Sequence, residues 1–107
     1  MAQDFERHIH RNIGTATTVH TSNSDDAIIG IRVANTHAST TVKVDVYVVN
    51  GGNNYYIIKN APVPAGGSLE LIDGGAKVVI QSGDALTIDA DAATSDWVVS
   101  RIDSIST

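Results

Sequence analysis

A strict two-residue alternation over 42–48 constrains the fold more than any other feature of this sequence. The four valines of this run fall on one side of an extended chain, while Lys43, Asp45 and Tyr47 fall on the other. β-Branched residues fit a pleated surface of which one face is buried. The run is therefore predicted to be a strand whose valine face packs against a core.

Turn residues divide the rest of the chain into similar short segments. The sequence NGGNN at 50–54 tolerates positive φ, so 55–59 is predicted to return as the second strand of a hairpin. Turn signals recur about every 8–12 residues, a spacing typical of a sandwich or small barrel. The other predicted strands are 15–21, 27–34, 68–72, 77–81, 85–89 and 97–102.

These segments predict an all-β fold, an antiparallel two-layer β-sandwich of about eight strands, jelly-roll-like or immunoglobulin-like. Charged residues make up only 18% of the chain, and the polar remainder is mostly Thr, Ser, Asn and Gly, which suits strands and turns. Residues 1–14 lie outside the alternating region. The predicted organisation is therefore an N-terminal arm at 1–14, followed by a single sandwich domain at 15–107.

Composition and charge exclude several classes of function. The chain has no cysteine, which removes disulfides, thiol nucleophiles and Cys-based zinc sites. No apolar run is long enough to span a membrane, and the first residues lack the apolar stretch of a signal peptide. The formal net charge of −5 disfavours nucleic acid as a partner. We therefore expect neither a membrane nor a nucleic acid as partner.

The arm carries side chains that suit contact with another protein. Phe5, Ile9 and Ile13 are candidate apolar anchors, and Arg7 and Arg11 are candidates to pair with acidic groups on a neighbouring subunit. Arms of this kind become ordered on binding and can bridge surfaces that a globular body does not reach. These five residues are predicted to bind a partner.

Three tyrosines form a second candidate contact surface. Tyr47 is predicted to lie on the outside of its strand, and one of Tyr55 or Tyr56 on that same outer face. Exposed tyrosines are typical of contact surfaces, and cross-strand aromatic packing is the alternative. With Trp97, the same tyrosines are a candidate platform for a carbohydrate or receptor.

The histidines permit a metal site only in an assembly. His8 and His10 lie on one side of an extended segment, a spacing that could help to ligate a transition ion, but the local sequence offers no obvious third ligand. The alternative is that both are polar residues on an arm. His20 and His37 are predicted to be surface residues. No metal and no other cofactor is predicted.

The sequence gives no sign of a catalytic site. No G-x-S-x-G nucleophile motif is present, and the glycine pairs precede no helix that could hold a phosphate. A glycosidase needs a cleft walled by aromatic residues, and the chain has five aromatic residues in a small domain. The protein is predicted not to be an enzyme, and no residue is assigned a catalytic role.

The run NAPVPAGGSLELIDGGAKVVIQSGDALTI at 60–88, preceded by VDVYVVNGGNNYYIIK, resembles small β-sandwich structural proteins of tailed bacteriophages. In those proteins a hairpin with an aromatic return strand leads to P-x-P-x-G, a short strand, a Gly-rich turn, K-V-V and G-D-x-L. The resemblance covers roughly 27–105. The pattern of the chain is similar to that of head-decoration (cement) proteins and of small neck, tail or baseplate proteins.

This resemblance implies a structural role in a virion, in many copies and often as a trimer or ring. The favoured prediction is a capsid decoration protein that stabilises the shell by bridging subunits of the major capsid protein or other virion proteins. A neck, tail or baseplate component is the alternative of the same class. A carbohydrate- or receptor-binding module is the alternative from a different class.

Overall fold

The computed structural model describes residues 4–72, 78–103 and 105. These residues form nine strands in two antiparallel sheets and no helix, which confirms the predicted all-β, two-layer architecture. None of the described residues forms a helix that could cross a membrane. The strands are β1 (Asp4–Ile13), β2 (Thr17–Thr21), β3 (Asp26–Asn35), β4 (Val42–Asn50), β5 (Asn53–Val63), β6 (Ser68–Ile72), β7 (Val78–Ile80), β8 (Ala85–Ala90) and β9 (Ser95–Asp103).

The strands alternate between the sheets along much of the chain. The first sheet has the order β1-β9-β3-β6, and β7 pairs with the part of β3 that β6 leaves free. The second sheet has the order β2-β8-β4-β5. The edge strands are thus β1, β6 and β7 in the first sheet and β2 and β5 in the second.

The core lies between the sheets and follows the predicted alternation. Val42, Val44 and Val46 are at most 1% exposed, as their position on one face predicts. Trp97 from the first sheet is fully buried among them, and its indole Nε1 donates a hydrogen bond to Ser95 Oγ at 2.8 Å. Every predicted strand is present within a few residues of its predicted bounds.

Two of the predicted segments differ in detail. β5 continues through Pro62, which is compatible with its position at a sheet edge, where a residue without an N–H breaks no central ladder. The strand predicted at 77–81 is observed as Val78–Ile80, and Lys77 lies outside the described residues.

The strand that was not predicted is β1, which lies in the segment predicted as an N-terminal arm. β1 pairs with β9 in unbroken register from Asp4 opposite Asp103 to His10 opposite Trp97. The segment is therefore part of a sheet in this structure. The side chains of β1 that alternate with Phe5 and Ile9 are polar, with Glu6 exposed and His8 and His10 partly buried. The hydrophobic pattern of this segment is therefore not that of a core strand. The domain boundary at residue 14 stays a prediction.

Candidate assembly surface

The outward side chains of β1 form an exposed row on the first sheet. Phe5 is 77% exposed and Ile9 is 58% exposed, and Arg7 and Arg11 beside them are exposed as well. We call these four residues the β1 stripe. Within the described part of the chain, neither arginine forms a salt bridge. The stripe therefore presents alternating apolar groups and unpaired cations to a partner.

Ile13, the fifth predicted contact residue of the arm, is not part of this row. Asn12 has a φ of 55°, and the register with β9 shifts between His10 and Ile13. This bulge turns the end of the strand inward, so that Ile13 is partly buried and packs against the core. The structure thus brings together Phe5, Arg7, Ile9 and Arg11 and places Ile13 apart from them.

The apolar surface continues onto β9. Ile9 lies opposite Val98, which is 42% exposed, and Phe5 lies opposite Ile102. A shallow groove of about 430 Å³ lies beside Ile9, and its walls include Arg11 and Val98. A second groove of about 300 Å³ adjoins it over Gly30. Contiguous exposed apolar side chains of this kind typically mark interaction sites.

The inward side of β1 contacts a buried polar cluster at one end of the sandwich. Asp26, on β3, is 0% exposed, and its carboxylate accepts hydrogen bonds from Ser22 Oγ at 2.9 Å and Ser24 Oγ at 2.8 Å. Arg101, on β9, contacts the same carboxylate at 3.3 Å and Asp103 at 3.1 Å. No buried side-chain polar atom of the described residues lacks a partner. The cluster therefore compensates the cost of a buried charge.

Two histidines connect this cluster to the edge strands of both sheets. His20, on β2, donates from Nε2 to Asp26 at 2.9 Å, and His8, on β1, accepts at Nε2 from Arg101 Nε at 2.9 Å. The two imidazole rings stack with 5.4 Å between their centroids. The prediction that His20 is a surface residue is wrong, because its side chain is only 14% exposed and contacts the fully buried carboxylate of Asp26.

Burial and nearby positive charge act on His8. Desolvation lowers the pKa of His8 below its ordinary value of 6.5, and the guanidinium of Arg101 lowers the pKa further. A neutral imidazole with an unprotonated Nε2 is also what the hydrogen bond from Arg101 requires. His8 is therefore held in its neutral form, with the proton on Nδ1.

The remaining histidines do not form a metal site with these. His10 shares the inward side of β1 with His8, as the two-residue spacing predicts. His37 accepts at Nδ1 from the backbone N–H groups of Ser39 and Thr40, at 3.0 Å each, and so stabilises a turn. No group of three or more His, Asp or Glu side chains placed to hold a metal ion occurs among residues 4–72, 78–103 and 105.

The tyrosines are divided between packing and exposure. Tyr47 faces outward from the second sheet, as predicted, but is only 8% exposed because its ring lies 5.0 Å from that of Tyr56 and against neighbouring strands. Tyr55 and Tyr56 are 56% and 45% exposed. Lys59 Nζ lies 4.4 Å above the Tyr56 ring. Tyr47 and Tyr56 thus form the cross-strand aromatic pair of the alternative interpretation.

This arrangement weakens the carbohydrate-platform hypothesis. Trp97 is fully buried and Tyr47 nearly so, which leaves Tyr55 and Tyr56 of the four proposed platform residues accessible. These two are adjacent in a strand, and their side chains point to opposite sides of the second sheet. The observed positions therefore do not give the flat aromatic surface that the hypothesis requires.

The polar cluster is the feature that sequence reasoning missed. Its central members are far apart in the chain, with 75 positions between Asp26 and Arg101. One signal was available in the sequence. Arg101 lies two residues after Val99 and four after Trp97, so the alternation of β9 places it on the same face as these two core residues. A charged residue on a core face indicates a buried partner.

Comparison with known proteins adds information about the fold. No protein-family model and no curated protein matches the sequence. Two crystal structures of a pentameric capsid protein isolated from metagenomic phage sequences resemble the chain, each with a TM-score of 0.52 and 15% sequence identity. The likeness covers 94% of this chain but 62% and 60% of the neighbours' chains. The chain thus shares a fold with these proteins and spans less than two thirds of their length.

Proposed function

We propose that the chain is a non-enzymatic structural protein of a phage particle. Three observations support this role: the β-sandwich shared with a phage capsid protein, the exposed β1 stripe, and the resemblance of 27–105 to phage structural proteins. The β1 stripe carries the proposal, because an exposed row of apolar and unpaired cationic groups suits a protein contact. The virion is the corresponding location.

Within the particle, we propose that the protein decorates the capsid and bridges neighbouring subunits of the major capsid protein. Many copies with modest interfaces would reinforce a shell through multivalency. The phage capsid protein that resembles the chain in fold is pentameric, which supports a homo-oligomeric ring as the form in which this chain acts. A neck, tail or baseplate position uses the same surface at a much lower copy number.

Copy number distinguishes these positions. Purified particles of the phage that encodes the chain would be analysed by quantitative mass spectrometry with the major capsid protein as internal standard. A decoration protein is expected at on the order of hundreds of copies, and a ring in the neck or tail at roughly six to twelve. Absence of the chain from purified particles would contradict any virion role.

Point substitutions test the contact better than truncation does. Removing residues 1–12 would delete most of β1, expose the backbone edge of β9 and leave Arg101 without His8. If the truncated chain were absent from particles, the result would not distinguish a lost contact from a damaged sheet. Changes at Arg7 and Arg11 alter exposed side chains and leave the strand pairing intact.

A further inference from the structure

Among the described strands, only β9 pairs with β1, which leaves the opposite backbone edge of β1 open within that part of the chain. Over Asp4–His10 the strand pairs with β9 on one side in unbroken register, and no other described strand pairs with it. We call the unpaired side the free edge. A row of unpaired N–H and C=O groups of this kind is a template for adding a strand from another chain.

The other edge strands of the sandwich are protected against such pairing. β2 and β6 have five residues each and β7 has three, too few to offer a long edge. β5 is long but contains Pro62 and, at Asn60, a φ of 55°. Short length, proline, bulges and charged side chains are devices by which natural sheets block edge pairing. The Asp4–His10 part of β1 has neither proline nor bulge, and charge is the one such device that it carries.

The β1 stripe determines which strand the free edge would accept. Opposite charges on directly facing positions of adjacent strands stabilise a pair, and like charges destabilise it. A second copy of β1 paired antiparallel about Ile9 would set Arg7 against Arg11 at two positions. In that register the arginines repel each other. Because Asp4 and Glu6 alternate with the stripe, no self-pairing that keeps both stripes on one face sets a carboxylate opposite either arginine, so the stripe favours a partner strand with carboxylates.

We propose that the free edge of β1 binds an extended segment of a partner protein as an added strand. The segment places acidic side chains opposite Arg7 and Arg11 and apolar side chains opposite Phe5 and Ile9. Such a strand would extend the first sheet by one and cover the exposed apolar groups of the stripe. The inference rests on the proposed function only for the setting, a neighbouring protein of the particle.

A peptide of alternating pattern tests the inference on the full-length chain. A fluorescently labelled ten-residue peptide, with Glu and Val alternating on one face and Thr on the other, is expected to bind saturably in an anisotropy titration. The same peptide with Lys in place of Glu is expected not to bind. No saturable binding of the acidic peptide at its highest soluble concentration would overturn the proposal.

Variants of the chain locate the contact. The double change Arg7→Glu, Arg11→Glu is expected to weaken peptide binding at least about tenfold, because each attraction becomes a repulsion. Lys43→Glu with Lys59→Glu makes the same change in net charge on the second sheet and should leave the affinity unchanged. An equal loss in both double variants would indicate non-specific attraction and would contradict the assignment.

Backbone N-methylation distinguishes an added strand from mere surface contact. An added strand uses one backbone edge, so N-methyl groups at alternate peptide residues should abolish binding in one series and spare it when moved by one residue. Equal binding of both series would overturn strand addition.

Light scattering tests whether a second copy of the chain occupies the free edge. A free chain that is an oligomer, and that becomes monomeric in the arginine double variant, would assign the edge to a second copy and contradict the proposal. These solution results do not depend on particle copy number, so failure here leaves the proposed virion role standing, and the reverse also holds.

Discussion

Nε of Arg101 donates a hydrogen bond to Nε2 of His8 across 2.9 Å, which joins the edge strand β1 to the buried charges at one end of the sandwich. The same guanidinium contacts Asp26 and Asp103. Between Asp4 and Asn12 the side chains of β1 add no apolar group to the core cluster. This bond is thus a side-chain link of β1 that protonation of His8 breaks.

Acid is expected to weaken the attachment of β1. Because the pKa of His8 is lowered in the folded state, the unfolded chain binds a proton first as the pH falls through 6.5, and stability from His8 decreases from there toward the folded pKa. The contribution is fully present above 6.5. His8→Gln, whose amide oxygen can accept from Arg101, should flatten this part of a stability curve measured by denaturant titration. An unchanged pH profile in the variant would show that His8 does not titrate on unfolding.

Hydrogen exchange gives the local counterpart of that prediction. Amide protection within Asp4–His10 should fall between neutral pH and pH 5, after correction for intrinsic exchange rates, while protection in β4 stays constant. Uniform loss across both strands would indicate global unfolding instead of a local change at β1.

Removing the charge of Asp26 is expected to destabilise the whole sandwich. Asp26→Asn leaves Arg101 partly uncompensated in a buried site, and breaking a buried ion pair in this way costs about 3–5 kcal/mol. Glu70→Gln is the matched control, because its pair with Arg32 is exposed and worth at most about 1 kcal/mol. Urea unfolding of both variants measures the difference. Similar values for the two would mean that the buried cluster does not stabilise the fold.

Gly14 is expected to tolerate no side chain. A Cβ at this position would lie 2.6 Å from the backbone N of Ala93, and neither backbone segment can yield cheaply. Gly14→Ala should therefore cost about 1–3 kcal/mol. Gly30→Ala provides the comparison, since its Cβ would meet nothing closer than 3.9 Å, and should stay within about 0.5 kcal/mol of the parent. Thermal melts of the two variants compare them directly.

Tyr47 is expected to give an alkaline signature. Burial, and next the carboxylate of Asp89, raise the pKa of Tyr47 above its ordinary 10.0, so the unfolded chain releases this proton first and stability falls as the pH rises through that value. Tyr47→Phe should reduce the alkaline loss of stability. Tyr55→Phe, at an exposed position, should not. The opposite ranking of the two variants would contradict the burial of Tyr47 in solution.

Most strands could be predicted because their pattern is local. The valine face of β4 and the turn after it are visible within a dozen residues. The structure follows the valine face, but the turn predicted at 50–54 is confined to Gly51 and Gly52, because Asn50 already pairs with Asn53. β1 has the same two-residue period, but its apolar members, Phe5 and Ile9, face outward while His8 faces the polar cluster. Hydrophobic alternation identifies a strand by assuming an apolar core beneath it, and that assumption fails here.

The candidate site was predictable only in part, for a related reason. Sequence spacing alone places all five arm residues on one face of β1, and the bulge at Asn12, which spacing does not reveal, removes Ile13 from that face. The His8–Arg101 bond joins residues 93 positions apart, and its formation depends on the pairing of β1 with β9. A single sequence does not specify that register.

Incorporation into particles tests the central claim, that the β1 stripe is the assembly surface, most directly. Particles assembled with the parent chain, with Arg7→Glu and Arg11→Glu together, or with Lys43→Glu and Lys59→Glu together would be purified at matched expression, and the chain quantified against the major capsid protein. We predict that the arginine variant, still folded by its thermal melt, is lost from the particles while the lysine variant is retained at the parent level. Full occupancy by the arginine variant would contradict the account.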